Sequence, residues 1–351
     1  REFTDILIKN VQQNTLKLTY SDPQGCKELR EAICGVAQRL RGVKARPEQV
    51  IITSGSQLGL LMSLKILFSP GDKVWIEYPL LRAATRTQDI VPVFVPVDNE
   101  GFNLQKALEI DPTAKGVFLT PSHQCPLGMM TSIQRRRDIL QWASETGGWI
   151  VEDDYDSELR YGGNLAYPSL QGMDSGNNVI YIGTFSKSLF PGLRLGYMVV
   201  PDDLVKAFSG MRFLIDRQSN EILQLSVAEF IKTGLYETHL LKMRRIFEAR
   251  RDYLIEAVSD NFGDWGKFIA TGQGMHMTFV FNNPDIDDEA VADLCRRQGV
   301  ELRSISSFSM GRPLYKGLIM GFGHFPPAQL LAAVSRIGFV LRDKFAAFGP
   351  A

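Results

Sequence analysis

Lys187 stands within residues 183–197 (GTFSKSLFPGLRLGY), which set hydroxyls, glycines and an arginine at short fixed spacings around it. A lysine that attacks a carbonyl group needs a neutral amine, which partial shielding from water and a nearby positive charge both favour. Arg194 supplies that charge. The apolar run 179–183 predicts a buried strand, so Lys187 is expected where a core strand ends. The segment therefore predicts a Schiff-base lysine at a strand end, where α/β proteins bind ligands.

Two further segments carry chemistry that matches such a lysine. In residues 149–161 (WIVEDDYDSELRY), Asp153 and Tyr155 follow a short apolar run at the predicted end of another buried strand. In residues 50–68 (VIITSGSQLGLLMSLKILF), a β-branched run enters a Ser/Gly turn and continues as an apolar helix, whose free N–H groups form an anion site. An anion site, a strand-end aspartate and a loop lysine together meet the needs of pyridoxal 5′-phosphate: its phosphate, its pyridinium nitrogen and its aldehyde.

Four segments of the chain resemble the fold-type I aminotransferases, and the resemblance extends over nearly the whole sequence. They are residues 20–33 (YSDPQGCKELREAI), 120–128 (TPSHQCPLG), 151–161 (VEDDYDSELRY) and 183–197. They look like the aminotransferase-like domain of the MocR/GabR-type transcription regulators, and the PSHQ form is more typical of that group than of ordinary aminotransferases. The resemblance implies a fold-type I α/β architecture, with a mostly parallel sheet flanked by helices and a smaller C-terminal α+β domain.

The resemblance also implies a role for each residue of a cofactor site. Lys187 would hold pyridoxal 5′-phosphate as an internal aldimine, Asp153 would pair with the pyridinium nitrogen, and Tyr155 would hydrogen-bond the ring hydroxyl. An ionised Asp153 keeps the ring nitrogen protonated, which makes the ring an electron sink. Tyr20 would reach the phosphate of a neighbouring subunit, which implies a homodimer. The phosphate ligands within the chain would be Ser56, Gln57, Thr184, Ser186 and Arg194.

The residues around the amino compound depart further from the family. Arg312, in a GRP turn, matches the arginine that clamps a carboxylate, a role whose bidentate geometry favours arginine. A second carboxylate-binding arginine has two candidates, Arg82 and Arg86. Leu81 stands where an aromatic residue usually stacks on the cofactor ring, so either Tyr78 substitutes for that residue or Leu81 packs on the ring itself.

The turn at residues 120–128 lacks the asparagine that follows a proline in ordinary aminotransferases. His123 and Gln124 offer polar groups there instead. Gln124 is predicted to contact the cofactor. The alternative for both residues is that they only stabilise the turn.

Composition limits the other functions of this chain. With 351 residues and 44% hydrophobic content it can bury a large core, and its formal net charge of zero leaves no basic stripe for nucleic acid. The basic residues 135–137 are expected on a solvated helix face. The cysteines lack CxxC spacing and the histidines lack the spacing of metal ligands. We therefore expect neither a disulfide framework nor a metal site. The longest apolar helix, residues 58–68, is too short to span a bilayer, and without a signal peptide we expect a cytoplasmic protein.

Apolar runs of strand length alternate with helical patterns from about residue 50 to 200, which indicates a mostly parallel sheet flanked by helices. We predict a helical N-terminal segment at 1–19, read as a truncated arm, a large cofactor-binding domain at 20–245 and a small domain at 246–351. Nothing before Tyr20 reads as a DNA-binding module. DNA is therefore expected to be contacted only through a module outside this chain.

Two functions use the same residues and stay open. In the first, a small amino compound displaces Lys187, forms an external aldimine, and shifts the domain between conformations that a DNA-binding module reads. In the second, the chain is a free-standing aminotransferase, in which Lys187 also moves the substrate proton. The PSHQ and EDDYDSE forms and the start of the chain favour the sensor. A dimerisation domain without cofactor is disfavoured by Asp153, Tyr155, Lys187 and Arg194.

Overall fold

The structure, a computed structural model, describes residues 2–13, 20–78, 90–163, 167–309 and 314–350. The helices in these ranges are α1 (Glu2–Gln13), α2 (Lys27–Arg41), α3 (Ser56–Leu67), α4 (Leu104–Ile110), α5 (Ile133–Thr146), α6 (Leu170–Met173), α7 (Val205–Asp216), α8 (Glu221–Lys232), α9 (Leu235–Phe262), α10 (Asp288–Arg297) and α11 (Pro327–Lys344). The strands are β1 (Val50–Thr53), β2 (Lys73–Tyr78), β3 (Val91–Asp98), β4 (Gly101–Phe102), β5 (Gly116–Leu119), β6 (Trp149–Asp154), β7 (Val179–Thr184), β8 (Gly196–Val199), β9 (Gly266–Ile269), β10 (His276–Phe281), β11 (Arg303–Ser304) and β12 (Gly317–Gly321).

The large sheet has eight strands in the order β1-β8-β7-β6-β5-β2-β3-β4. β7, β6, β5, β2 and β3 run parallel, whereas β8 lies antiparallel between β1 and β7. All residues of β1, β5, β7 and β8 are buried, as expected for apolar strands covered on both faces. The predicted mostly parallel α/β sheet is confirmed.

The C-terminal part of the chain forms a second, antiparallel sheet in the order β11-β12-β10-β9. It shares one hydrophobic core with α10, α11 and the second half of α9. The sequence predicts strands of the small domain from the runs 275–281, 299–305 and 317–323. The first and last form β10 and β12, but 299–305 forms only the two-residue strand β11. β9 was not predicted, because only its last residues are apolar.

Helix α9 connects the two cores. Its 28 residues begin after Gly234, which adopts a left-handed conformation (φ +76) and separates α9 from α8. Tyr236 and Leu240 pack in the core beside β1 and β8, and Phe247 and Leu254 pack in the core of the small sheet. The helix therefore runs through the predicted domain boundary.

The N-terminal helix α1, within the predicted helical segment, packs on α8. The ring of Phe3 lies 5.6 Å from that of Phe230, and Lys9 forms an ion pair with Glu229 at 2.6 Å. Residues 14–19 of the predicted segment lie outside the described residues. Within the described ranges, no helix is both long enough and apolar enough to cross a membrane.

Candidate active site

A cavity of about 480 Å³ opens at the carboxyl ends of β5, β6 and β7, beside the small sheet. Side chains from both sheets line it, as expected for ligand sites at the strand ends of α/β proteins. Its walls include eight of the residues predicted for the cofactor site: Ser56, Gln57, Asp153, Tyr155, Thr184, Ser186, Lys187 and Arg194. The structure thus brings together residues from separate segments of the sequence.

The start of α3 forms one end of this cavity. Gly55 precedes the helix with φ +107, a conformation that favours glycine, and no side chain caps the first turn. The N–H groups of that turn are therefore available to an anion. The Arg194 guanidinium lies against the same turn, because its Nη2 donates a 2.8 Å hydrogen bond to the Ser54 carbonyl oxygen. An added Cβ on Gly55 would lie 3.2 Å from that Nη2.

The loop after β7 brings hydroxyl groups to the same end. Thr184 Oγ1 lies 3.1 Å from Ser186 Oγ, and the Ser186 N–H donates to Thr184 Oγ1 at 3.2 Å. Together with the first turn of α3 and the Arg194 guanidinium, these groups make a site for a dianionic phosphate.

Asp153, the second-to-last residue of β6, is the buried carboxyl group of the cavity. Its Oδ1 has no hydrogen-bond partner among the described residues. Burial, and then the nearby carboxylates of Asp154 and Asp156, raise the pKa of Asp153 to about 7. An unpaired buried carboxyl group is costly unless a ligand supplies the partner, and a protonated ring nitrogen is such a partner. The residues present therefore fit the cofactor that the sequence predicts.

Lys187 also lines the cavity, but it is not shielded as expected. The residue is exposed, and it forms no hydrogen bond or ion pair with another described residue. The lysine is therefore accessible to a carbonyl compound that enters the cavity, and burial by this chain alone does not enclose it.

Three predicted cofactor residues lie outside the cavity wall. Tyr20 is 75% exposed, with the Arg217 guanidinium 4.2 Å from its ring centre. The Tyr78 ring packs edge-on against Phe94, with 6.1 Å between ring centres. Gln124 stabilises its own turn, since its amide nitrogen donates to the Cys125 carbonyl and its oxygen accepts from Leu127 N–H. Their cofactor contacts stay predictions.

The residues predicted to bind the carboxylate of the amino compound, and the residue at the ring-stacking position, are not among the described residues. They are Arg312, Arg82 and Arg86, together with Leu81 at the usual ring-stacking position.

The structure adds residues that the sequence did not identify. Arg303 of β11 lines the cavity opposite the large sheet, is exposed, and lies over the Phe308 ring at 5.7 Å. It forms no ion pair with any residue that the structure describes. His276 and Cys125 line the wall as well, and burial lowers the pKa of His276 to about 4. The one signal for Arg303 was its place in a strand-like run that enters the small sheet.

Beneath the cavity, on the other face of β6, lies a group of paired charges. Arg41 Nε donates to Asp154 Oδ2 at 2.6 Å, and the Tyr181 hydroxyl donates to the same oxygen at 2.8 Å. Burial alone would raise the pKa of Asp154, but the Arg41 guanidinium lowers it. Arg136 lies 3.8 Å from Glu152 and is fully buried, so the expectation of a solvated face at 135–137 is wrong for this residue. Its guanidinium bonds backbone carbonyls where the turn after β5 meets α5.

The fold and this site together define a fold-type I pyridoxal-phosphate-binding protein. The chain belongs to the aminotransferase class I and II family, whose model matches residues 5–319. Pyridoxal phosphate is its cofactor. No group of three or more candidate ligand side chains among the described residues is arranged to hold a metal ion.

Individual relatives include both regulators and enzymes. The chain is 33% identical to the uncharacterized HTH-type transcriptional regulator YhdI of Bacillus subtilis, over 91% of this chain and 68% of the relative. It is also 33% identical to the probable rhizopine catabolism regulatory protein MocR of Rhizobium meliloti, over 89% of this chain and 63% of the relative. The chain thus spans about two thirds of these relatives. The α-aminoadipate aminotransferase LysN from Thermus thermophilus, solved with N-(5′-phosphopyridoxyl)-L-leucine, superposes with a TM-score of 0.88 at 26% identity, covering 99% of this chain and 89% of that one.

Proposed function

We propose that this chain is the pyridoxal-phosphate-binding, effector-sensing and dimerisation domain of a MocR/GabR-type transcription regulator. The observation that carries the proposal is the 33% identity to an HTH-type transcriptional regulator over 91% of the chain. The chain spans about two thirds of that relative, which leaves room for a separate DNA-binding module in a regulator of this kind. We further propose a cytoplasmic homodimer that contacts DNA only through such a module.

Each side chain of the cavity has a task in this function. When bound, the cofactor supplies an aldehyde that condenses with amines and a ring that withdraws electrons from them. Lys187 holds that aldehyde until an amino compound competes for it. Asp153 keeps a proton on the ring nitrogen, and Tyr155 donates to the ring hydroxyl. The phosphate is held by Ser56, Gln57, Thr184, Ser186 and Arg194, with Tyr20 of the partner subunit.

The amino compound needs a further contact that distinguishes it from other amines. Arg312, with Arg82 as the second candidate, is predicted to bind its carboxylate, and Arg303 is a third guanidinium that the structure brings to the cavity wall. A guanidinium fork binds a carboxylate through two parallel hydrogen bonds. Binding of such a ligand between the two sheets would favour one relative position of the domains, which is the change that a DNA-binding module can read.

A free-standing aminotransferase is the second candidate function. The observation that favours it is the superposition of LysN on 99% of this chain, with no large segment unmatched. In that function Lys187, once released from the cofactor, would also take the proton from the substrate carbon as general base and deliver it to the cofactor carbon as general acid. The same cavity serves both functions, so the difference lies in turnover.

The first test is to trap the cofactor with borohydride and find the modified peptide by mass spectrometry. We expect the reduced cofactor on Lys187, no adduct in Lys187→Ala, and an unchanged adduct in Lys65→Ala, a matched change at an exposed lysine of α3. A reducible adduct that persists at another residue in Lys187→Ala would show that the lysine assignment is wrong.

The second test separates the sensor from the enzyme. The loaded protein is mixed with an oxo acid as amino acceptor and with each member of a panel of amino acids and their decarboxylated amines. Both the visible absorption and the formation of the corresponding oxo acid or aldehyde are followed. The sensor predicts an absorption change without accumulation of that product. Sustained formation of the product would instead establish the aminotransferase.

A further inference from the structure

We propose that Asp156 and His123 form a buried pair that positions the Tyr155 hydroxyl as a hydrogen-bond donor toward the cofactor. The inference rests on the proposed placement of Tyr155 at the ring hydroxyl. It assigns His123 and Asp156, from the PSHQ and DYDSE segments, as positioning residues. The two segments are separate in sequence, and the fold brings these two side chains together.

The pair fixes the proton of the histidine. His123 Nδ1 lies 2.9 Å from both Oδ1 and Oδ2 of Asp156, and the two side chains are only 1% and 2% exposed. A carboxylate accepts hydrogen bonds and does not donate them, so the proton of this contact lies on Nδ1. His123 is therefore the Nδ1–H tautomer or the imidazolium, and its Nδ1 has no lone pair left to accept a bond.

This arrangement decides where the Tyr155 hydroxyl points. Its oxygen lies 3.3 Å from the same Nδ1, and the two rings stack with 5.8 Å between centres and 28° between planes. Because Nδ1 carries a proton, Tyr155 can only accept from it, and its own O–H is directed elsewhere. The hydroxyl lies within hydrogen-bonding reach of the Cys125 side chain, and both residues line the cavity.

The charges around Tyr155 keep that proton in place. Burial, and then the carboxylate of Asp156, raise the pKa of Tyr155 well above its usual value. The phenol is therefore a donor over the whole working range of pH. On its other face the His123 ring lies 5.0 Å from His276, which stays neutral because burial, and then His123, lower its pKa. Cys125, Asp153 and Glu77 also act on the Tyr155 hydroxyl and raise its pKa further. Lys187, Arg194 and Arg303 are the cations of the cavity wall.

The surrounding backbone is shaped for the pair. Gly274 has φ +81, and a Cβ there would overlap the His123 ring and lie 2.8 Å from Asp156 Oδ2. Gly128, with φ +82, would place a Cβ 3.3 Å from His123 Nε2. The His276 Nε2 is held by the Pro126 carbonyl oxygen at 3.2 Å. Residues of the large and small sheets thus enclose the imidazole, which cannot turn away from Asp156.

The test compares four variants in the loaded protein: Tyr155→Phe, Asp156→Asn, His123→Phe, which keeps a ring without N–H, and His123→Asn, which keeps an N–H without the ring. The readout is the pH midpoint of the visible absorption of the bound cofactor. A donor to the ring hydroxyl oxygen stabilises its deprotonated form, so losing the donor raises the midpoint. We expect increases of about half to one pH unit for Tyr155→Phe, Asp156→Asn and His123→Phe, and a smaller one for His123→Asn.

The outcomes separate this inference from the proposed function. If Tyr155→Phe leaves the midpoint unchanged, the proposed placement of Tyr155 fails. If Tyr155→Phe raises it while Asp156→Asn and His123→Phe match the wild type, the pair does not position the hydroxyl and the inference alone is overturned. His324→Phe, at an exposed histidine of the small domain, is the matched control and should leave the midpoint unchanged.

A second measurement needs neither cofactor nor a stable variant. The chain has four histidines, so ¹⁵N NMR of histidine-labelled, cofactor-free protein can resolve each ring. We expect a protonated Nδ1 for the one resonance that disappears in His123→Asn or, failing that variant, for the histidine that is most shielded from solvent exchange. A His123 ring protonated on Nε2 alone would overturn the inference.

Discussion

Asp153 and Asp154 are neighbours at the end of β6, yet they meet opposite environments. Asp153 faces the cavity, its carboxyl group has no hydrogen bond or ion pair with a described residue, and its pKa is raised to about 7. Asp154 faces away, bonded through Oδ2 to Arg41 and Tyr181, and its pKa is lowered. The same residue type therefore marks two different things. A buried charge with a partner belongs to the architecture, whereas a buried charge without one indicates a place for a ligand.

The alternation of side chains along β6 produces this difference between Asp153 and Asp154. Side chains of a β-strand point to opposite faces in turn, so Glu152 and Asp154 share one face and Asp153 takes the other. The shared face meets Arg136 and Arg41, whose guanidinium groups neutralise its carboxylates within the fold. The cavity face instead collects groups without a charge partner among the described residues, namely Asp153, Lys187 and Arg303.

The largest loss of stability is expected from a change at Arg41, beneath the cavity. Arg41→Met leaves Asp154 buried without its cation, so the free energy of unfolding should fall by about 3–5 kcal/mol. Urea unfolding at neutral pH measures it. Cofactor retention by the folded fraction should change little, since Arg41 does not line the cavity.

The double variant Arg41→Met, Asp154→Asn tests the cause of that loss. It removes both charges and should recover most of the stability, because no unpaired carboxylate remains. A double variant as unstable as Arg41→Met would show that the guanidinium contributes mainly through its bonds to Tyr167 and Ser122.

In the cofactor-free protein at neutral pH, Asp153→Asn should instead raise the free energy of unfolding. Folding moves the pKa of Asp153 from 3.8 to about 7, which costs about 4 kcal/mol at pH above 7 and nothing well below pH 4, where both states are protonated. The asparagine amide still lacks a partner, which costs about 2 kcal/mol at any pH, so we expect a net gain of about 2 kcal/mol above pH 7 that becomes a loss of about 2 kcal/mol well below pH 4. Urea unfolding across this pH range measures it.

The same variant should hold the cofactor less well. Loss of a hydrogen bond to a charged group weakens retention by about 1.5–3 kcal/mol, measured by equilibrium dialysis against pyridoxal phosphate. Stability and retention would thus move in opposite directions. If both fall together, Asp153 is part of the architecture like Asp154, and the contrast between them is wrong.

A smaller effect is expected at the ligand side of the cavity. Arg303→Gln should weaken binding of carboxylate-bearing amino compounds about tenfold, or about 1.4 kcal/mol, and leave decarboxylated amines unaffected. Titration by visible absorption measures both. Arg297→Gln, at an exposed arginine of α10, is the control. Loss of the acid preference in Arg312→Lys but not in Arg303→Gln would assign the carboxylate to Arg312 instead.

The smallest effect concerns Tyr20. Because it is 75% exposed and outside the cavity of its own chain, Tyr20→Phe should not change the stability of the fold. Retention of the cofactor by the dimer should fall by about 0.5–1.5 kcal/mol, as for one neutral hydrogen bond. Unchanged retention at concentrations where the protein is dimeric would remove Tyr20 from the partner's site.

Local patterns were enough to predict much of this molecule. Each strand end that lines the cavity follows an apolar run of strand length, so the relation of Asp153 and Lys187 to the sheet could be predicted from neighbours in sequence. The pairing of Arg41 with Asp154 could not, because 113 residues separate them and composition does not distinguish a buried arginine from a solvated one. For the same reason, the sequence wrongly predicts Arg136 on a solvated helix face.

The turn at residues 120–128 shows a second limit. Gln124 and His123 look equally suited to a ligand, but the amide groups of Gln124 are used within the turn, and His123 meets Asp156 from another segment. Which partner satisfies a polar group is decided by the packed fold. Residue type alone gives the capacity to bond, and the fold decides its direction.

Helix α9 has the geometry of a lever between the two halves of the molecule. Its 28 residues make a rod about 42 Å long, anchored in the large core near its start and in the small core beyond Phe247. A tilt of about 5° about the Gly234 end would carry the far end by about 4 Å. The small sheet, with Arg303 on its edge strand, shares a core with that far end, so the same tilt would shift the cavity wall that carries Arg303 relative to Lys187 on the large sheet.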